Sequence, residues 1–238
     1  MINVLLPSMG KTNFFKDMYF PKPIIEINGK TMLEIVQENF ASIKDKKMIY
    51  VFSKDNCNQF HLDDSVKIMN PEASVLSLKN ETAGALCTAL IAIEFINNNR
   101  PLIIANSDQI IDVNYEEVLS YFQEEKADAG VITFKSIHPR WSYIKSCGKN
   151  VIEVAEKRPL SAHAIAGFYY YKKGYDFIEA AKRVILKGSS IEGKYYISSS
   201  FNELILLNKN VIYYEVKPDA YHSFYSPEKI KKFEGKRI

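Results

Sequence analysis

The chain has 238 residues, 47% hydrophobic and 25% charged, which is enough to bury one large core. Its 31 Lys and Arg against 28 Asp and Glu leave a net charge of +3, far from the dense basic face of a nucleic-acid binder. No apolar run approaches the ~20 residues that cross a bilayer, so neither nucleic acid nor membrane is expected as a partner.

"INVLL" (2–6) is a short apolar run ended by Pro7, Ser8 and Gly10, and it predicts a buried strand. Gly10, Lys11 and Thr12 end like a P-loop. That motif needs a glycine five positions earlier, to turn the backbone and aim its N–H groups at phosphate, and Leu5 stands there inside the strand. "TMLEIVQENFASI" (31–43) has helical apolar spacing, with Thr31 and Glu34 as a capping box. "KMIYVFS" (47–53) predicts a strand, "TAGALCTALIAIEFI" (82–96) a helix, and "PLIIANSD" (101–108) a strand with a polar end.

A helix over 115–125, a strand over 129–136, and strands over 150–157 and 164–174 follow. Then come helices over 176–188 and 201–208, a strand over 210–216, and a helix over 226–233 that begins with Pro in its first turn. Alternating strands and helices predict an α/β fold with a mostly parallel sheet, and the strand-rich later half adds an antiparallel lobe. A single domain over 1–238 is expected. Such sheets bind ligands at the carboxyl ends of their strands, here residues 7–12 and 106–109.

Cys57, Cys87 and Cys147 are far apart with no CxxC, and no two of the four histidines have ligand spacing, so a zinc site is not expected. An odd cysteine count suits reduced thiols. "MINVLLPSMG" lacks the basic start and long apolar run of a signal peptide, and a cytoplasmic location is expected. The basic tail "KIKKFEGKRI" is expected to be a solvated helix end.

Several residues have the chemistry of a phosphate site. Lys22 lies between Pro21 and Pro23, whose fixed φ angles stiffen its base. Asp108 ends an apolar strand among Asn106, Ser107 and Gln109, where a carboxylate can hold a hard cation. Gly84 opens an apolar helix, and Glu156 and Lys157 end a strand before Pro159. Gly167 either brings backbone close to a ligand or relieves a crowded strand.

"FPKPIIEINGKTMLEIVQENF" (20–40), "NETAGALCTAL" (80–90), "ANSDQ" (105–109), "EVAEKRP" (153–159) and "AGFYYYKKG" (166–174) occur in one order at set intervals. This set, from residue 2 to about residue 230, resembles the sugar-1-phosphate nucleotidylyltransferase family. It is most similar to short capsule-type members with an HPxWSY segment, here His138–Tyr143. The resemblance implies a Rossmann-like mixed sheet and attack of an acceptor phosphate on the α-phosphate of an NTP, with Mg²⁺ present and pyrophosphate leaving.

It further implies catalytic roles for Lys22, Asp108 and Lys157. Lys22 would contact the triphosphate, Asp108 the Mg²⁺, and Lys157 the acceptor phosphate. Pro7, Ser8, Met9, Gly10, Lys11, Thr82, Ala83, Gly84 and Ser107 would surround the nucleotide. Glu156, Gly167, Tyr196 and Asn202 would meet the acceptor.

Two positions depart from the family pattern. Its loop reads G-x-G-[TS]-R, whereas here Gly10 is followed by Lys11, Thr12, Asn13 and Phe14. Lys11 or Lys16 can supply charge there, but not the bidentate fork of arginine. A second metal-binding Asp precedes a late segment in many members. Ser223 stands there, with Asp219 the nearest carboxylate; Asp112 is another acidic candidate.

The expected function is NMP transfer, with CTP ranked first, to a sugar-1-phosphate or a related phosphate such as phosphoglutamine, for surface polysaccharide precursors. Two alternatives stand beside it. One is a nucleotide-sugar glycosyltransferase, although Asn106 breaks the D-x-D pair that class uses; the other is a nucleotide-binding homologue without turnover. Base, acceptor and homo-oligomeric state are left open.

Overall fold

The computed structural model describes residues 1–10, 13–15 and 17–235. In chain order the strands begin with β1 (Ile2–Ser8), β2 (Glu26–Ile27), β3 (Lys30–Thr31), β4 (Lys46–Ser53), β5 (Ser74–Leu78) and β6 (Leu102–Ala105). They continue with β7 (Gln109–Ile111), β8 (Ala129–Lys135), β9 (Ser142–Cys147), β10 (Asn150–Glu156), β11 (His163–Tyr171), β12 (Val211–Val216) and β13 (Tyr221–Ser223). The helices are α1 (Met32–Asn39), α2 (Lys54–Phe60), α3 (Leu62–Met69), α4 (Ala85–Leu90), α5 (Ile93–Ile96), α6 (Tyr115–Glu124), α7 (Gly174–Leu186), α8 (Ser199–Leu206) and α9 (Pro227–Glu234).

Nine strands form one mixed sheet in the order β5-β4-β1-β6-β11-β8-β12-β10-β9. β5, β4, β1 and β6 run parallel, as do β8 and β12, while β11 is antiparallel to its neighbours β6 and β8. β7 and β13 make a separate antiparallel ribbon, and β2 and β3 another.

Burial on both faces explains the continuous apolar runs. Along β1, Val4 and Leu6 enter one core and Leu5 the other; along β4, Met48, Tyr50 and Phe52 oppose Ile49 and Val51. Helices α1 and α6 cover the first face, and α4, α7 and α8 the second. Each large apolar side chain taken fully out of water contributes about 1.5–3 kcal/mol before entropy is counted.

The expected α/β fold with a mixed sheet is found, with differences in detail. The helix predicted over 31–43 keeps its capping box but ends at Asn39. There the Asn39 amide exchanges two hydrogen bonds, of 2.9 and 3.0 Å, with the backbone of Ile111. The apolar stretch 82–96 forms two short helices rather than one. The strand over 101–108 stops at Ala105; the Asn106 N–H still bonds the Gly167 carbonyl, at the point where β11 becomes irregular. Helices α2 and α3 and strands β2, β3, β5, β7, β9 and β13 are not among the predicted elements. β5 is a half-buried edge strand with two serines in five residues, which mutes its apolar signal.

Candidate active site

β1 and β6 are adjacent and parallel, so their tips lie side by side. The Ser107 hydroxyl donates across them to the Pro7 carbonyl (3.4 Å). Pro21 is extended, and Lys22–Ile24 forms one tight turn that sends Lys22 toward the same place. The Lys22 ammonium pairs with the Asp108 carboxylate. The two side chains are 14% and 29% exposed, so the pair faces a cavity while being mostly shielded. The ammonium also lies 5.3 Å from the centre of the Phe15 ring.

The cavity measures about 640 Å³ and is bordered by Pro7, Ser8, Met9, Gly10, Lys22, Ser107 and Asp108. Those seven predicted residues are thus brought together. Lys11, like Thr12 and Lys16, lies outside the described residues. The sequence reading missed Ser53, Asn56, Gln59 and Phe60 on the wall, and Tyr19 and Phe20 at the rim. The signal for Ser53 was available, since it ends a third parallel strand, β4. Tyr19, Phe20 and Phe60 meet edge to face at 5.1–6.1 Å, an aromatic lip suited to a flat or apolar ligand portion.

Thr82, Ala83 and Gly84 do not line this cavity; they are tied to the segment around Tyr195 instead. The Tyr195 N–H donates to the Ala83 carbonyl (2.7 Å), and Leu86 N–H to the Tyr195 carbonyl (3.2 Å). Gly84 has φ +111°, and a Cβ there would sit 2.4 Å from the Tyr195 carbonyl oxygen. The glycine is therefore required by backbone packing, whatever a base contacts nearby. The Thr82 hydroxyl donates to the Gly84 carbonyl (3.0 Å) and shares a 2.6 Å hydrogen bond with Thr88.

The same segment carries Tyr196. Lys157, in the left-handed region at φ +54°, holds its ammonium 5.5 Å from the Tyr196 ring centre and 3.4 Å from Glu192. A hydrogen bond to Tyr196 raises the Lys157 pKa, so the ammonium stays charged. Glu156 points inward, accepting from the Ser142 and Ser198 hydroxyls. Burial raises its pKa, and the two serines oppose that rise. Asn202 is engaged with the edge of β10: its amide accepts from Val154 N–H (2.9 Å) and donates to Val154 C=O (2.8 Å).

Gly167 sits against the Asp108 turn. It has φ +60°, and a Cβ would meet Asn106 Nδ2 at 2.2 Å and Gln109 Oε1 at 2.5 Å. The β11–β8 register slips between Ile165 and Tyr169, so Gly167 sits at an irregularity beside the Asp108 turn. Gln109 Oε1 accepts from Asn106 (3.0 Å) and from the Tyr221 hydroxyl (3.0 Å). The Phe224 N–H donates to the Asp108 carbonyl (2.8 Å), which places Ser223 beside this turn. Asp112 instead pairs with His222 at 2.8 Å, and Asp219 borders a separate depression with it.

Asp108 is the one carboxylate bordering the 640 Å³ cavity among the described residues. No group of three His, Cys, Asp or Glu among them could hold a metal alone. That donor set fits Mg²⁺, a hard ion that keeps waters and takes phosphate oxygens from its substrate.

The sequence matches the family described as "Nucleotidyl transferase" over residues 18–217. The chain belongs to that family. As a nucleotidyl transferase it shares its fold with known structures. One is a nucleoside-diphosphate-sugar pyrophosphorylase from Vibrio cholerae RC9 (TM-score 0.83, 20% identity, 99% of this chain and 100% of that one). Another is a UDP-glucose pyrophosphorylase complexed with UDP-glucose (0.75, 15%, 99% and 98%). A third is HddC from Yersinia pseudotuberculosis (0.70, 17%, 100% and 100%). No curated protein matches the sequence of this nucleotidyl transferase. No helix among its described residues is long and apolar enough to cross a membrane.

Proposed function

We propose that this nucleotidyl transferase moves an NMP from an NTP to a phosphorylated acceptor. The observation that carries this reading is the Lys22–Asp108 pair, joined from two distant segments at the mouth of one cavity beside the β1 loop. The acceptor phosphate oxygen attacks the α-phosphorus, the bond to the β-phosphate breaks, and pyrophosphate leaves. Such a reaction between like charges depends on alignment and charge neutralisation. Lys22 neutralises the triphosphate, and Lys157, held charged by Tyr196, orients the acceptor phosphate. Asp108 would hold Mg²⁺, which supplies further neutralisation of phosphate charge. Glu156, held by Ser142 and Ser198, and the Gly167 backbone would stand near the acceptor.

The His138–Tyr143 segment supports a capsule-type role, with a surface polysaccharide precursor as product and CTP first among the nucleotides. A sugar-1-phosphate or phosphoglutamine is the acceptor class, and the cytoplasm is the site of action. A pyrophosphate-release screen crossing four NTPs with these acceptors, with and without Mg²⁺, tests the reading. Release with no combination overturns it. One observation favours a nucleotide-binding protein without turnover: Phe14, exposed, stands where the loop arginine is expected. That reading predicts thermal stabilisation by an NTP in the absence of pyrophosphate release.

A further inference from the structure

A second cleft, of about 370 Å³, backs onto the Asp108 turn. Arg140 lies in it, its guanidinium carbon 3.3 Å from the Tyr225 ring centre and 4.6 Å from that of Trp141. Two aromatic rings thus orient the cation, and among the described residues no carboxylate pairs with it. Lys229 and Lys232 border the same cleft from one face of α9, three residues apart, and neither has an ion-pair partner among the described residues. His138 and His222 border it as well, the latter paired with Asp112 at 2.8 Å. Among the described residues no acidic side chain borders the cleft. Three like charges around one concavity repel each other and raise the local anion concentration. Bidentate recognition of a planar or tetrahedral oxyanion is what an oriented guanidinium does best.

The wall between this cleft and the first cavity is thin in residues. Tyr221 borders the cleft, and its hydroxyl reaches Gln109, next to Asp108 in the chain. The phenol feels both the Asp108 carboxylate and the Arg140 guanidinium.

We propose that this cleft is a second anion site, where Arg140, Lys229 and Lys232 hold a phosphate or carboxylate group distinct from any group at Lys22 and Asp108. The group is either a second anionic substituent of the acceptor or a free oxyanion. The site itself does not depend on the transfer reaction proposed above.

Trp141 is the chain's single tryptophan and lies against Arg140, so its fluorescence reports on this cleft. Titration of the full-length protein with inorganic phosphate at constant ionic strength is expected to give a saturable emission change. Arg140→Gln, and separately the exposed pair Lys229→Gln/Lys232→Gln, should raise the apparent Kd about tenfold or more, whereas Lys22→Gln should leave it within about twofold. No saturable change in the wild type overturns the proposal, and so does a Kd that moves only in Lys22→Gln. The source is separated by turnover with acceptors that carry or lack a carboxylate beside the phosphate. A KM increase in Arg140→Gln confined to the carboxylated acceptor supports a substituent of the substrate. An equal response of all acceptors to added phosphate, lost in Arg140→Gln, supports a free oxyanion. The titration needs no turnover, so its failure is distinct from failure of the transfer reaction.

Discussion

Lys22 and Asp108, 86 positions apart in the chain, meet as an ion pair between the tips of β1 and β6. The pair is mostly shielded, so the cost of taking two charges out of water offsets much of their attraction and leaves a small net contribution to stability. In the proposed reaction its role is to place charge for a bound triphosphate. Asp108→Asn and Lys22→Ala should each lower Mg²⁺-dependent pyrophosphate release about 10²–10³-fold, the range for removing one preorganised charge. Melting temperatures should stay close to wild type. The double variant should lose less than the product of the two single losses, because the two groups act on one triphosphate.

Gly84→Ala tests the backbone contact with Tyr195. The added carbon would lie 2.4 Å from a carbonyl oxygen at a φ that L-residues rarely adopt. A cost of about 1–3 kcal/mol is expected. Thermal denaturation measures it, at about 2–4 °C per kcal/mol for a chain of this size. An unchanged melting temperature would mean that the 83–86 and 195 segments are not packed as described.

Glu156 gives a pH dependence of known sign. Its folded-state pKa is raised above the ordinary carboxylate value, chiefly by burial. Between the ordinary and the raised value, the folded state holds more protons than the unfolded one, so stability falls as pH rises through that window. The contribution is fully present below the ordinary value and lost above the raised one. Glu156→Gln should remove this slope, making the variant more stable than wild type at neutral pH while weakening acceptor use. Melting curves from about pH 4 to pH 8 and acceptor KM values check the two halves. Parallel wild-type and variant profiles would show that Glu156 ionises as it does in water.

Phe14→Arg restores a fork to the loop. Phe14 is 62% exposed and touches Tyr225 edge-on at 5.6 Å, so stability should change by no more than about 0.5 kcal/mol. Turnover should rise about tenfold if phosphate clamping limits the wild type. No gain, with NTP binding unchanged, would place the limit elsewhere.

Strand and helix types were legible where apolar runs were long and ended in Pro, Gly or polar residues, as at Pro7 and Asn106. β5 and β9 escaped because serine and lysine interrupt their apolar residues. That the tips of β1 and β6 would lie together was legible from the expectation of a parallel sheet, while the roles given to residues there came from the family resemblance. Gly84 and Gly167 were flagged for ligand approach, and in the structure each also answers to a protein neighbour. That distinction needs coordinates, because the partners, Tyr195 and Asn106, are remote in sequence. The same holds for the two serines on Glu156 and for Arg140 between its rings.

One feature of the topology bears on synthesis. β12 (Val211–Val216) slots between β8 and β10, strands made from much earlier parts of the sequence, in the interior of the sheet rather than at its margin. Until β12 is in place, β8 and β10 are linked only through β9 and β11, and each offers a bare hydrogen-bonding edge. A chain cut short ahead of residue 211 would therefore leave the earlier strands prone to clumping.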